Sequence, residues 1–177
     1  MGTTRAARLL LTLALAAYGV ACLRSPDEFR LLDNVDLAIH ETGHLVFLPF
    51  GEFVNFLGGT LFQLIVPAAF VAYFLRQGDR HAACVALWWV AQNCWNVARY
   101  VADARAQELP LVGGGEHDWA YLLGELGWLA RDQQIAGAVR ATGTALLALA
   151  TAGGLLAARG PRALTPGASS ATARAEA

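Results

Sequence analysis

Apolar residues in this chain are gathered into blocks of nearly the length that a helix needs to cross a membrane. A spanning helix takes roughly 17 to 25 residues. The clearest blocks run about Leu9 to Leu23, Leu31 to Phe50, Thr60 to Leu75 and Ala82 to Ala102, and a last one, rich in Ala and Gly, runs from Ala141 to Ala158. These blocks predict an all-α, polytopic integral membrane protein with about five transmembrane helices.

The composition supports this prediction. Hydrophobic residues make up 56% of the 177 residues and charged residues only 15%, which is more apolar than is usual for a water-soluble domain. The lipid bilayer is therefore the expected partner, and the bacterial inner (plasma) membrane is the expected location. The net charge of −1, without a basic stripe, argues against nucleic-acid binding. Nothing in the composition indicates an oligomeric state.

The two ends of the chain need separate interpretations. The basic start and apolar core of the first block are also typical of export signals, and Gly19 to Cys22 faintly resembles a lipoprotein cleavage site. Gly occupies the place of the usual large aliphatic residue, so we favour an uncleaved first helix. Residues 160–177 are rich in Pro, Ser, Thr and Ala without periodicity, which predicts a disordered tail after a single transmembrane domain over residues 1–159.

The second block contains the H-E-x-x-H motif His40-Glu41-Thr42-Gly43-His44. Residues four apart on a helix lie one turn apart on nearly the same face, so both imidazoles can bind one ion. The neighbouring Glu41 is angled toward a water on that ion rather than toward the ion. The motif thus predicts His40 and His44 as ligands of Zn²⁺ and Glu41 as the catalytic general base.

A plainer interpretation is that the histidines are buried polar residues satisfied by neighbouring hydroxyls or carbonyls. Two considerations favour the metal site. The chain has only 4 histidines, so a chance H-E-x-x-H is rare. Ionisable groups within a membrane are also costly, and where they occur they tend to be functional.

A third ligand is expected further along the chain, and Asp103 is one candidate. Asn93, Asn96, Tyr100, Asp103 and Gln107 follow one another at intervals of three or four residues, which draws a polar stripe along the fourth predicted helix. Such a stripe must face protein or a water-filled cavity, so the carboxylate of Asp103 is aimed inward. The alternative is an aspartate near the helix end that pairs with a neighbouring arginine.

His117 and Asp118 form a second candidate. His117 is a suitable zinc ligand, and Asp118 could ligate the metal or orient a ligand histidine. Alternatively, the pair simply opens a short interfacial helix from Asp118 to Leu129. Whichever group lies within reach of a common tetrahedral point with His40 and His44 is the ligand.

The chain resembles the site-2 protease family of intramembrane zinc metalloproteases. The resemblance spans roughly residues 35 to 110: the H-E-x-x-H of residues 40–44, then Gly51, an apolar stretch and Gly58-Gly59, and Asp103 in "ADARAQELP" near a helix end before a proline. It implies that His40, His44 and Asp103 bind zinc and that Glu41 activates water. The chain lacks the Asn-Pro and Leu-Asp-Gly context around the family's aspartate and has no PDZ domain.

The sequence leads to a functional hypothesis with two alternatives. We expect a membrane-embedded zinc metallopeptidase, with its core at about residues 31–130, that hydrolyses peptide bonds of a membrane-protein or peptide substrate. One alternative is a non-proteolytic metal-binding membrane protein or scaffold, and another is a structural membrane protein without metal. Glu41 favours the peptidase, because a pure binding site has no need of a base beside its ligands. The segment from Phe50 to Thr60 is expected to be a re-entrant strand for an extended substrate or a plain interhelical turn.

Overall fold

The computed structural model describes residues 2–112 and 115–160. Within these ranges the helices are α1 (Gly2–Arg24), α2 (Leu31–Phe47), α3 (Glu52–Arg76), α4 (Arg80–Ala102), α5 (Asp118–Glu125) and α6 (Asp132–Arg159), with short 3₁₀ turns at Leu48–Phe50 and Leu129–Arg131. Of the described residues 83% are helical and none forms a strand, which confirms the predicted all-α class. The predicted disordered tail lies, from residue 161 onward, outside the described residues.

Three helical segments are long and apolar enough to cross a membrane: Thr4–Arg24, Glu52–Arg76 and Leu129–Arg159. They coincide with the first, third and fifth predicted spans and indicate a membrane protein. Helices α2 and α4 form where they were predicted but are not among the candidates, so five spans are not confirmed. Helix α2 has 17 residues, about 26 Å of length, and carries three carboxylates. Helix α4 is continuous, but its apolar sequence is interrupted by the buried amides of Gln92 and Asn93.

The segment from Phe50 to Thr60 is neither of the structures predicted for it. A 3₁₀ turn ends at Phe50, Gly51 adopts a φ of +92°, and α3 begins at Glu52, so most of the segment is helical. The positive φ is accessible to glycine without strain, which allows the chain to pass directly from the 3₁₀ turn into α3. The prediction rested on the alternating character of the segment between its glycines, but Gly58 and Gly59 lie inside α3.

The interfacial helix is shorter than predicted and ends at Glu125 rather than Leu129. The N–H of Trp128 donates to the carbonyl of Leu123 (2.7 Å) and that of Gly127 donates to Gly124 (2.9 Å), the bond pattern of a Schellman motif. Gly127 has the φ of +66° that this ending requires. The motif turns the chain directly toward α6.

Helices α4 and α6 form the apolar centre of the bundle. Trp88 and Trp95 of α4 pack with Leu147 and Ala150 of α6 in one buried cluster. Gly143 of α6 allows the close approach, because a Cβ there would lie 2.8 Å from a backbone carbonyl oxygen of α4. Helix α1 covers this cluster, and the carbonyl of its Leu15 accepts a hydrogen bond from the Trp88 indole (2.7 Å).

Helix α2 is held between an apolar contact and a polar one. On one side, Gly43 lies directly against the backbone of Gly58 in α3, so the two helices approach closely. On the other side, Asp36 accepts hydrogen bonds at Oδ1 from Trp89 Nε1 (2.8 Å) and Asn93 Nδ2 (3.1 Å) of α4. Because both helices are polar where they meet, their polar faces are buried together. The two histidines of α2 then lie beside α3.

Candidate metal centre

His40 and His44 lie one turn apart on α2 and share a space with Gly59 of α3. Their ring centroids are 4.8 Å apart, with an angle of 74° between the ring planes. A Cβ at Gly59 would lie only 2.5 Å from Nε2 of His40 and 2.6 Å from Nε2 of His44. Both Nε2 atoms are therefore directed at one small volume that exists because residue 59 has no side chain.

Asp118, the first residue of α5, completes this group. Its Oδ2 lies 2.8 Å from Nε2 of His40 and 3.2 Å from Nε2 of His44. The ligand atoms of the three residues all lie within 4.8 Å of one another, which makes them a group that could hold a metal ion. In a tetrahedral site with bonds of about 2.0–2.1 Å, ligand atoms are about 3.3 Å apart. The two contacts of Asp118 are close to this spacing.

The other ring nitrogen of each histidine faces an acceptor. Nδ1 of His44 lies 2.8 Å from the backbone carbonyl oxygen of Asn55, and Nδ1 of His40 lies 3.1 Å from Oε1 of Gln63. A backbone carbonyl only accepts hydrogen bonds, so Nδ1 of His44 carries the proton. The side-chain amide of Asn55 donates in turn to the carbonyl of His44 (2.6 Å), which secures α2 to α3 at this point.

With Nδ1 protonated, a neutral imidazole presents a lone pair at Nε2. Lone pairs from His40 and His44 then face an oxygen of Asp118, and three acceptors at these distances repel one another. A positive charge among them removes the repulsion, whether as protons on the imidazoles or as a metal ion. The donor set of two imidazoles and one carboxylate, with Nδ1 held by acceptors, is the set that zinc enzymes use.

The electrostatic state of Asp118 agrees with this arrangement. Its side chain is 8% exposed. Burial by itself disfavours the charged carboxylate, but the hydrogen bonds from His40 and His44 outweigh burial and hold the pKa of Asp118 below its ordinary value. This balance belongs to the state in which the imidazoles carry protons, the positive charge that a metal ion would replace.

Asp103, the predicted third ligand, is directed elsewhere. It caps the C-terminus of α4, and its carboxylate accepts hydrogen bonds from the backbone N–H groups of Glu108 (2.9 Å) and Leu109 (3.1 Å). Its third partner is Nε2 of His117 at 3.2 Å. The structure thus does not bring Asp103 together with the two histidines of α2. A carboxylate at the end of α4 is instead used to fold the loop that follows.

His117, the alternative third ligand, also lies outside the group and is almost fully buried. Its Nδ1 accepts the N–H of Ala120 (3.3 Å) as the N-cap of α5, so its Nε2–H donates to Asp103. The ring lies against Tyr100, with centroids 4.2 Å apart, and the Tyr100 hydroxyl accepts the N–H of Asp118 (3.2 Å). Asp103 and His117 therefore fix the start of α5, which carries Asp118.

Glu41 follows His40 on α2 and is partly buried. Gln63 is a site residue that the motifs did not indicate. Its signal in the sequence was a long amide within an otherwise apolar predicted span.

Comparisons of the chain with protein-family models, with curated proteins and with solved structures find no match. The class of protein is therefore defined by its own features: an all-helical chain, in its described residues, with three candidate membrane spans and a His–His–Asp group in which His40 and Asp118 are buried and His44 is partly exposed.

Proposed function

We propose that this protein is a membrane-embedded zinc metallopeptidase in which His40, His44 and Asp118 bind the metal and Glu41 is the general base. The observation that carries the proposal is the convergence of two Nε2 atoms and one carboxylate oxygen within 2.8–3.2 Å contacts. The resemblance of residues 40–44 to the site-2 protease motif supports the same activity, with Asp118 in the place that the resemblance gave to Asp103.

The residues of the chain have distinct roles in this mechanism. When bound, zinc supplies a Lewis acid and water whose pKa is lowered to about 7. Glu41 accepts the proton of the attacking water and returns it to the departing amine. Nδ1–H of His40 donates to Oε1 of Gln63, and Nδ1–H of His44 donates to the backbone carbonyl of Asn55. These hydrogen bonds orient both Nε2 atoms toward the site.

The surroundings of the site support a membrane-associated substrate. Apolar side chains that follow His44 are exposed: Leu45 in the last turn of α2 is 74% exposed, and Leu48 and Phe50 in the 3₁₀ turn after it are 64% and 66% exposed. Exposed apolar side chains next to a half-buried site suit lipid or an apolar peptide segment better than water. We propose the bacterial inner membrane as the location and a membrane-protein or peptide segment as the substrate.

Metal analysis of the detergent-purified protein tests the first part of the proposal. We expect close to one zinc per chain in the wild type and a large loss in His40→Ala and His44→Ala. A wild-type protein that takes up no zinc would favour the structural alternative, in which protons take the place of the metal.

The second part is tested by Glu41→Gln, with Glu125→Gln on the exposed face of α5 as the matched control. Cleavage of an apolar peptide library in detergent micelles is measured together with zinc content. A peptidase loses cleavage in Glu41→Gln by about 10²–10⁴-fold while keeping its zinc, and Glu125→Gln retains both. If the wild type binds zinc and cleaves none of the peptides, the non-proteolytic metal-binding alternative is favoured.

A further inference from the structure

A row of side-chain hydrogen bonds leads from the beginning of α2 through α4 and α3 to His40. Asp33 accepts at Oδ1 from Asn96 Nδ2 (3.3 Å), Asn96 accepts at Oδ1 from Gln63 Nε2 (2.9 Å), and Gln63 Oε1 lies 3.1 Å from Nδ1 of His40. Gln63 is 2% and Asp33 8% exposed, so the row is largely shielded from water. Each partner is on a different helix from the next.

The direction of this row is set at the Asp33 end. Oδ2 of Asp33 accepts the backbone N–H of Arg30 (2.6 Å), and Oδ1 also accepts Gln92 Nε2 (2.9 Å). As a carboxylate, Asp33 only accepts, so Asn96 must turn its NH₂ toward it and its oxygen toward Gln63. Gln63 must then donate to Asn96 and present its own oxygen to His40.

We propose that Asp33, Asn96 and Gln63 are positioning residues that keep a proton on Nδ1 of His40, so that Nε2 is the ring nitrogen left to bind the metal. The inference rests on the metal-binding part of the proposed function. A carboxylate more than one helical turn away from the histidine thereby selects its tautomer through two amides. His44 needs no such row, because a backbone carbonyl selects its tautomer directly.

The row makes an unusual prediction for Asp33→Asn. The backbone N–H of Arg30 still requires an acceptor, so the amide introduced at position 33 turns its oxygen to Arg30 and its NH₂ toward Asn96. Gln92, which also donates to Oδ1 of Asp33, must turn its oxygen to this NH₂. Asn96 and Gln63 must turn over as well, which presents an NH₂ to Nδ1 of His40. The proton of His40 moves to Nε2, the atom that should bind metal. Hydrogen-bond partners of metal ligands typically alter metal affinity by about 10–100-fold, and we expect a loss in this range.

Asp36→Asn is the matched control. Asp36 is also a buried carboxylate of α2, but its hydrogen bonds go to Trp89 and Asn93, and it is connected to the row only through a long 3.4 Å contact between Asn93 and Gln92. Zinc affinity is measured by competition with a chelator in detergent micelles. We expect Asp33→Asn to lose affinity and Asp36→Asn to stay within a few-fold of wild type. Equal losses in the two variants, or none in either, overturn the proposal.

A second variant keeps the proposal testable if Asp33→Asn merely destabilises the protein. In Asp33→Asn/Gln63→Glu, the carboxylate of residue 63 accepts from Nδ1 of His40 and from the overturned NH₂ of Asn96. With Gln92 also turned so that its oxygen accepts from the NH₂ of residue 33, the row is satisfied again. We expect the double variant to bind zinc about 10-fold or more tightly than Asp33→Asn alone. A double variant no better than Asp33→Asn overturns the proposal.

The tautomer itself is read by ¹⁵N NMR of metal-free protein with labelled histidine, using His40→Ala for assignment. In the wild type Nδ1 of His40 should be protonated, whether or not Nε2 also carries a proton toward Asp118, and in Asp33→Asn Nδ1 should be unprotonated. This reading separates the two proposals: a wild type with the expected tautomer but no zinc uptake refutes the metal function and leaves the row intact. An unprotonated Nδ1 of His40 in the wild type refutes the positioning role.

Discussion

Gly59→Ala is the substitution that most directly probes the metal centre. Residue 59 lies in α3 and faces both imidazoles, so the added methyl group enters the volume on which the Nε2 atoms converge. In an ordinary helix, Gly→Ala is favourable by about 1 kcal/mol because the backbone of the unfolded chain loses freedom. The variant is therefore expected to fold, and its defect should be specific to the metal.

The size of the defect follows from the distances at Gly59. The added Cβ would lie 2.5 Å from Nε2 of His40 and 2.6 Å from Nε2 of His44, whereas ordinary contacts begin at 3.4 Å. Each ring must therefore retreat by close to 1 Å or rotate away. Metal–ligand distances tolerate only about ±0.2 Å, so the two nitrogens no longer fit one ion. We expect zinc affinity to fall by at least the roughly 100-fold that marks the upper range for outer-shell changes.

Gly137→Ala in α6 is the control, because a Cβ at Gly137 meets no atom within 4 Å. Both variants are purified in detergent, checked for helicity by circular dichroism, and titrated with zinc against a chelator. Gly137→Ala should bind zinc like the wild type. Wild-type affinity in a folded Gly59→Ala protein would show that the ion does not lie between these imidazoles and would refute the site.

Three further predictions follow from other contacts. Asp118→Ala should lose more zinc affinity than Asp103→Ala, since the first removes a proposed ligand and the second only loosens the loop that carries it; the reverse order in a zinc titration would restore the sequence-based assignment. Zinc at 100 times its Kd should stabilise the folded protein by about 2.7 kcal/mol, seen as a rise in Tm that a chelator reverses, and His40→Ala should show no such rise. Gly143→Leu should lower the free energy of unfolding by about 1–3 kcal/mol by forcing α4 and α6 apart, whereas Gly137→Leu should have little effect in the same denaturation assay; equal effects would contradict the close packing.

Much of the fold is visible in the sequence because it depends on local properties. Apolar blocks of near-spanning length determine where helices form, and the helical spacing of residues 40 and 44 determines that both imidazoles share one face. The boundaries depend more on glycine. Gly51 starts a helix and Gly127 ends one through their positive φ, whereas Gly58 and Gly59 lie within α3. Composition does not distinguish a glycine that turns the chain from one that lets helices touch.

The apolar blocks also did not reveal that α2 and α4 fall outside the candidate membrane spans. Each helix contains polar side chains, and the free-energy cost of burying them depends on whether a hydrogen-bond partner is available. Asp33 and Asp36 of α2 meet the amides and indole of α4, so the two helices bury their polar faces against each other. Pairing of this kind is a property of two segments about sixty residues apart, and neither segment reveals it alone.

The third member of the site shows most clearly what the sequence determined and what it left to the tertiary structure. His40, Glu41 and His44 are set by a spacing of one helical turn, which is a local matter. Asp103 and Asp118 are both carboxylates at helix ends, and sequence cannot rank them because the outcome depends on how the loop between α4 and α5 folds back. The carboxylate of Asp103 accepts hydrogen bonds from two backbone N–H groups of that loop and from His117. With the loop held in this way, Asp118 lies against the histidines of α2.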